Sequence, residues 1–133
     1  MLNLNYRDSK PIYEQVKDDI RKLVISNAFL ANEKLPSVRE LASKNAINPN
    51  TIARAYKELE DEGYLYPLSG KGTFVSAEIK GKNKDKRVEE LIVDFDEVVK
   101  ELLFLKIPGK NLSDRITQID ERGKNNDSGQ SCS

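Results

Sequence analysis

Histidine and tryptophan are absent from this chain, and cysteine and methionine occur once each. Without histidine, hydrolases whose serine or cysteine nucleophile depends on a histidine base are excluded, and the commonest metal ligand is missing. Cys132 has no partner for an intramolecular disulfide, and its polar surroundings argue against a packed or catalytic role. We therefore expect no catalytic residue, no metal site and no cofactor.

Long hydrophobic runs are also missing. No apolar stretch approaches the roughly 20 residues that span a bilayer. The first residues, Met-Leu-Asn-Leu-Asn, have neither the basic stretch nor the apolar core of a signal peptide. We expect a cytoplasmic protein with no membrane contact. A length of 133 residues suits one compact domain with a short appendage.

The charges sum to zero but are unevenly distributed. Residues 1–77 carry 11 basic and 10 acidic side chains, residues 78–87 carry 5 and 2, and residues 88–133 carry 6 and 10. The chain is therefore near-neutral, then basic, then acidic. When the acidic C-terminal segment is held away from nucleic acid, the first segment can still present a locally basic surface.

Three helices are predicted in the first half of the chain. Residues 11–27 carry apolar side chains at helical spacing, with Ser9 as a candidate cap. Ser37 and Glu40 form the S-x-x-E pattern of a helix start, and this second helix ends near Asn45. Asn48-Pro49 opens a third helix, which Gly63 terminates.

A β-hairpin is predicted next, with strands at residues 64–66 and 73–75 and a turn at residues 69–72. Three helices followed by a hairpin is the order of a winged helix-turn-helix. We therefore predict a mainly α fold with a small β-hairpin, in which residues 1–77 form a winged helix-turn-helix DNA-binding domain and residues 78–87 a polar, basic linker.

The second half shows a seven-residue apolar repeat. Of residues 88–107, 12 are apolar, which is a wider face than one small neighbour covers. The stripe can pack onto the same chain or pair with a second copy, and we favour the homodimer. Residues 88–120 are predicted to be a two-helix dimerisation segment and residues 121–133 a disordered tail. The proposed dimer contacts are Leu91, Phe95, Val98, Leu102 and Leu105.

DNA contacts are expected from the polar residues around the second and third helices. At the N-terminal end of the third helix, Asn50 is placed to contact an adenine edge. Thr51 can contact a base or a phosphate, and Arg54 can contact a guanine edge or a phosphate. Arg39 is expected to bind a phosphate or a base edge beside it, next to the helix-capping Ser37. At the tip of the wing, Lys71 can enter the minor groove, where Gly72 allows close approach.

Each of these residues also has a purely structural explanation. Ser37, Asn50 and Thr51 can serve only as helix-start residues, and Gly72 can serve only the turn. Arg39 and Lys71 can be ordinary solvated charges. The DNA-binding interpretation rests on their coincidence, because the polar residues occupy the positions that a winged helix directs at DNA.

These motifs resemble the GntR family of bacterial regulators. The resemblance is carried by Leu-Pro-Ser-Val-Arg-Glu-Leu-Ala at residues 35–42, Asn-Pro-Asn-Thr-Ile at 48–52, the segment 55–63, and the wing Ser-Gly-Lys-Gly-Thr-Phe-Val at 69–75. Residues 11–16 are similar to the family's first helix. The short C-terminal part is similar to the YtrA subfamily, in which two helices serve dimerisation.

The resemblance implies a repressor of a palindromic operator, often for an ABC-transporter or stress operon. Many members have arginines where Pro49 and Ala53 stand, so those DNA contacts are not carried over. Asn45 and Ala46 stand where leucine and glycine are usual in the turn. Asparagine can adopt positive φ, so the turn can be kept with an adjusted geometry.

An effector small molecule is an open question, because about 35 ordered residues after the linker are too few to enclose a pocket of ~300 Å³. A groove between subunits could hold one, or expression level alone could set regulation. The alternative function is a winged-helix protein-interaction module that does not touch DNA. A fragment of a larger enzyme is a third hypothesis, which the short chain does not support.

Overall fold

The structure is a computed structural model that describes the backbone of residues 2–131 and the side chains of residues 2–123. It divides into two compact units, one up to Arg87 and one from Val88. In chain order the elements are α1 (Ile12–Ile25), α2 (Val38–Asn45), α3 (Pro49–Glu62), β1 (Leu65–Leu68), β2 (Gly72–Val75), α4 (Gly81–Phe104) and α5 (Gly109–Ser131). The predicted mainly α fold with one β-hairpin is confirmed.

The first unit has one hydrophobic core, to which α1, α2, α3 and the hairpin all contribute. The apolar stripe of each helix faces inward, as helical periodicity predicts, and α1 and α2 both pack against α3. Full burial of each large aliphatic side chain contributes roughly 1.5–3 kcal/mol to stability. The most deeply buried are Val16, Ile20, Leu41, Ile52, Leu59, Leu65 and Val75.

The hairpin has a third partner that the sequence analysis did not predict. Leu65 pairs with Val75 and Leu68 with Gly72 in an antiparallel register. On the other edge of β2, the Leu35 N–H donates to the Thr73 carbonyl and the Val75 N–H donates to the Glu33 carbonyl, both at 2.9 Å. The segment immediately before α2 is therefore attached to the wing by backbone hydrogen bonds.

Four helices end in the same way, with one residue in the left-handed region that closes the last turn. These residues are Asn27 after α1, Ala46 after α2, Gly63 after α3 and Lys106 after α4. At α2, the Ile47 N–H donates back to the Ala42 carbonyl at 3.0 Å, which is the long bond of a Schellman motif. The turn is kept, and its positive-φ residue is Ala46, at φ 52°, while Asn45 is the last residue of α2.

Replacing Ala46 with glycine is therefore expected to stabilise the protein. In the left-handed region a residue with a Cβ is strained by roughly 1–2 kcal/mol. Glycine removes this strain, but its greater conformational freedom in the unfolded state offsets part of the gain. We expect Ala46→Gly to raise the free energy of unfolding by about 0.5–1 kcal/mol, measured by urea denaturation. The control is Ala53→Gly in the exposed interior of α3, which should lower it by about 1 kcal/mol. Equal destabilisation by both changes would contradict the prediction.

The second half differs from the prediction at two boundaries. The helix predicted from residue 88 begins at Gly81, inside the predicted linker 78–87, because this lysine-rich segment contains good helix formers and no proline. It ends at Phe104, where Lys106 closes it, so Leu105 lies just beyond the helix. The last helix, α5, runs to Ser131 and so extends into the segment 121–133, for which a disordered tail stays a prediction. Cys132 lies outside the described residues.

The apolar stripe of α4 is present as predicted, and in the single chain no residue of α4 is buried. Leu91 and Phe95 are nearly half exposed, and Val98 and Leu105 are more than half exposed. Leu102 is of intermediate exposure. Among residues 2–131, no helix combines the length and hydrophobicity required to cross a membrane.

Candidate nucleic-acid interface

The N-terminal ends of α2 and α3 are capped as the sequence predicts. Ser37 Oγ accepts a hydrogen bond from the Glu40 backbone N–H at 3.1 Å. Asn48 Oδ1 accepts from the Asn50 N–H at 2.9 Å, and Pro49 occupies the first helical position. Ser9, in contrast, does not cap α1, which begins at Ile12 with Pro11 in the capping position and no side-chain cap. Both helix starts are thus fixed by local chemistry.

A buried tyrosine sets the position of α2 relative to α3. The Tyr56 hydroxyl donates to the Pro36 carbonyl at 2.7 Å, one residue before the cap Ser37. Burial raises the pKa of Tyr56 far above its ordinary value, with a smaller contribution from Glu40. The phenol therefore stays protonated at neutral pH and can donate this hydrogen bond.

The predicted contact residues on these helices lie at the surface. Ser37, Arg39 and Asn50 are exposed, and Thr51 is of intermediate exposure. The opposite side of α3 is buried through Ile52, Ala55, Tyr56 and Leu59. The division between an apolar inner face and a polar outer face near the start of α3 therefore matches the prediction.

Arg54 has a more constrained position than the sequence suggested. Its guanidinium carbon lies 3.6 Å from the ring centroid of Tyr13 on α1. Its Nε donates to Glu58 Oε2 at 3.2 Å, while the side chain remains 61% exposed. The i, i+4 spacing of Arg54 and Glu58 is visible in the sequence, but the stack on Tyr13 is not, because it joins two helices. Tyr13 is thus a site residue that sequence reasoning missed.

A network of ion pairs joins α1 to the C-terminal half of α3. Lys17 contacts Glu58 at 3.3 Å and Glu62 at 2.9 Å, and Arg21 contacts Glu62 at 3.1 Å and Asp18 at 2.9 Å. Burial acts to lower the pKa of Lys17, but its bonds and charge interactions with Glu62 and Glu58 outweigh burial, so the pKa is raised. Lys17 therefore remains charged at neutral pH.

This network has an electrostatic consequence for the surface. The two carboxylates of α3 that face α1, Glu58 and Glu62, are matched by Lys17, Arg21 and Arg54. Local pairing reduces their repulsion of an incoming polyanion. The near-neutral first unit can thus present a basic face. A net charge of zero for the whole chain is therefore compatible with nucleic-acid binding.

The wing carries the remaining predicted contacts. Lys71 and Gly72 are exposed at the hairpin turn, where Gly70 has φ 75° and Gly72 has φ 119°. The turn is closed by the Lys71 N–H, which donates to the Leu68 carbonyl at 2.9 Å. Thr73 Oγ1 donates to Glu60 Oε1 at 3.4 Å, which links the wing to α3. All predicted DNA-contact residues therefore belong to the same packed unit.

Comparisons with known proteins agree with this architecture. Residues 12–75 match the family described as bacterial regulatory proteins, gntR family. The chain is 42% identical over 99 residues to the HTH-type transcriptional regulator YhcF of Bacillus subtilis, covering 73% of this chain and 82% of YhcF. It is 45% identical over 80 residues to the HTH-type transcriptional repressor YtrA of the same organism, covering 60% of this chain and 62% of YtrA.

Comparison with solved structures also agrees with this architecture. A transcriptional antiterminator from Listeria monocytogenes EGD-e superposes with a TM-score of 0.73 at 29% identity, covering 90% of each chain. The AraR DNA-binding domain, solved in complex with operator ORR3, superposes with a TM-score of 0.50 at 32% identity, covering 56% of this chain and 89% of that one. The chain belongs to the gntR family of bacterial regulatory proteins, with the YtrA repressor among its relatives, and is a transcription regulator rather than an enzyme.

Proposed function

We propose that this protein is a sequence-specific transcriptional repressor that binds a palindromic operator as a homodimer in the bacterial cytoplasm. The observation that carries the proposal is the exposed polar surface at the capped starts of α2 and α3, backed by a buried apolar face. The fold likeness to the AraR domain in its operator complex supports the same use of this surface.

In the proposed complex, the start of α3 enters the major groove. Asn50 contacts an adenine edge, Thr51 a base or a phosphate, and Arg54 a guanine edge. Arg39 and Ser37, at the start of α2, contact the DNA backbone or a neighbouring base edge. The wing places Lys71 at the adjacent minor groove, with Gly72 allowing close approach. Phosphate contacts position the protein, and the base contacts of α3 set the sequence.

The proposed homodimer forms through the apolar stripe of α4. Leu91, Phe95, Val98, Leu102 and Leu105 recur at the spacing of a helix–helix seam, and α4 has no buried residue in the single chain. A face of this size is not left in water by a stable protein. Twofold symmetry then predicts a palindromic operator with half-site centres about one helical turn, or ~10 bp, apart.

The regulated genes are proposed from the family resemblance. The curated relative YtrA is a repressor, and this chain covers 62% of its length. We propose repression of an operon for an ABC transporter or a stress response that includes the regulator's own gene. An effector, if one exists, would bind in a groove formed between subunits.

Binding to the protein's own upstream promoter tests the proposal. A fluorescent promoter fragment and random DNA of equal length are titrated with the protein at several salt concentrations. We expect selective binding to the promoter and a steep fall in affinity as salt rises, with a slope of about −0.9 for each phosphate contacted. Footprinting of the bound fragment should show two symmetric half-sites.

The same experiment separates the alternative function. A winged-helix module that binds only proteins would bind neither DNA tightly, and its weak binding would be equal on both fragments. That result would overturn the proposal and direct the search to a protein partner by pull-down.

A further inference from the structure

Lys34 lies on the wing, although it precedes α2 in sequence. The segment that contains it runs antiparallel to β2, and Lys34 pairs directly with Phe74. The flanking hydrogen bonds, from Leu35 N to Thr73 O and from Val75 N to Glu33 O, make this a non-hydrogen-bonded pair. In such a pair the two side chains are close and project from the same face of the sheet.

The side chain of Lys34 crosses directly over Gly72. A Cβ built on Gly72 would lie 2.9 Å from Lys34 Cε and 3.7 Å from Lys34 Nζ. The missing side chain of Gly72 therefore provides the space that the lysine occupies. As a result the ammonium group lies beside the first residue of β2, next in sequence to Lys71 at the wing tip.

The charge of Lys34 is not neutralised within the protein. Lys34 is exposed and, in the part of the chain that the structure describes, it forms no ion pair. Lys17, Lys57 and Lys80, by comparison, each contact a carboxylate. A lysine whose unpaired ammonium lies over Gly72, the residue next in sequence to the exposed Lys71, is suited to an anionic partner.

We propose that Lys34 binds a DNA backbone phosphate beside the wing and acts together with Lys71; this rests on the proposed DNA-binding function. The phosphate is the favoured partner because the ammonium is a compact charge that contacts the backbone without reading sequence. Gly72 then has a second purpose besides the turn, since any side chain there displaces Lys34.

The test uses Lys34→Met, which keeps the aliphatic stem over Gly72 and removes only the charge. Promoter and random DNA are titrated with the full chain at four or more salt concentrations. We expect the variant to weaken binding by the same factor on both DNAs. The slope of log affinity against log salt should become shallower by about 0.9, the value for one lost phosphate contact. Lys34→Arg should restore the wild-type slope.

Lys80→Met is the matched control. Lys80 pairs with Glu78 and follows Ile79, which packs at Gly63 beyond the C-terminal end of α3. This end of α3 is opposite to the end that carries Asn50. The salt slope of the Lys80→Met variant should therefore stay at the wild-type value. Gly72→Ala should weaken binding, both because it strains the backbone at φ 119° and because it displaces Lys34. Only the second part of this cost should disappear when Gly72→Ala is added to Lys34→Met.

The two proposals fail in different ways. If the wild-type protein shows neither promoter selectivity nor salt dependence, the proposed function fails before any variant is measured. If the wild type binds selectively with a steep slope and Lys34→Met has the same slope, only the assignment of Lys34 is overturned. Circular dichroism of each variant confirms that the comparison is made between folded proteins.

Discussion

A Leu102→Glu variant is expected to sediment as a monomer and to bind its palindromic operator at least ~100-fold more weakly than the wild type. Binding to a single half-site should change little, because the winged-helix unit up to Arg87 does not include residue 102. Sedimentation velocity and titration of full-site and half-site DNA measure the two effects separately.

The size of this effect follows from the proposed dimer seam. Leu102 lies one turn after Val98 and one heptad after Phe95, in a stripe whose other members are exposed in the single chain. In the dimer, a glutamate there would bury an unpaired carboxylate, which is far more costly than the loss of the leucine contacts alone. Once the two subunits are separated, binding at one half-site no longer raises the effective concentration of a subunit at the other half-site.

Lys100→Glu is the control for added charge. Its side chain is 74% exposed and contacts Glu97 at 3.7 Å, on the other side of α4 from the stripe. This variant should stay dimeric and keep nearly full operator affinity. A wild-type protein that sediments as a monomer would contradict the dimer proposal, as would a dimeric Leu102→Glu variant.

The first unit could be predicted from sequence because its signals are local. Ser37 caps α2, Asn48 and Pro49 begin α3, and Gly63 ends it, each through contacts within a few residues. The buried residues of α3 recur at helical spacing, so the periodicity of the sequence also marks the buried face. The polar residues at the start of α3 follow from the same periodicity, since they are what remains outside the buried stripe.

The contacts that could not be predicted join residues distant in sequence. The strand-like segment at Lys34 pairs with β2 some forty residues later, and no local pattern marks it. The stack of Arg54 on Tyr13 depends on how α1 packs against α3. At Ala46, the Schellman motif places a left-handed alanine one position after Asn45, and intrinsic residue preference does not mark that position.

An Arg54→Ala variant is expected to lose about 1–3 kcal/mol of operator binding, or roughly 5- to 150-fold in affinity. The loss on random DNA should be smaller, so the ratio of operator to random affinity falls. Substituting the base pair that Arg54 contacts should then cost the variant little, whereas it costs the wild type about 1–3 kcal/mol. Competition titration against a set of single-substitution operators measures this directly.

The structure explains why Arg54 is suited to base recognition. Tyr13 packs against its guanidinium at 3.6 Å and Glu58 holds Nε at 3.2 Å, which fixes the orientation of the group before DNA arrives. Within the described residues the terminal amino groups of Arg54 make no hydrogen bond, so both can donate to a guanine edge in a bidentate contact. Ordering the arginine in advance reduces the entropy lost on binding.

Changes at Tyr13 distinguish orientation from simple charge. Tyr13→Phe keeps the ring under Arg54 and should retain the ratio of operator to random affinity. Tyr13→Leu removes the ring and should lower this ratio toward the value of the Arg54→Ala variant. Lys57→Ala is the control on the same helix, since Lys57 is 71% exposed and pairs with Asp61 at 3.1 Å. Equal losses on operator and random DNA in Arg54→Ala would instead make Arg54 a phosphate contact, and leave Asn50 and Thr51 as the base-contacting residues of α3.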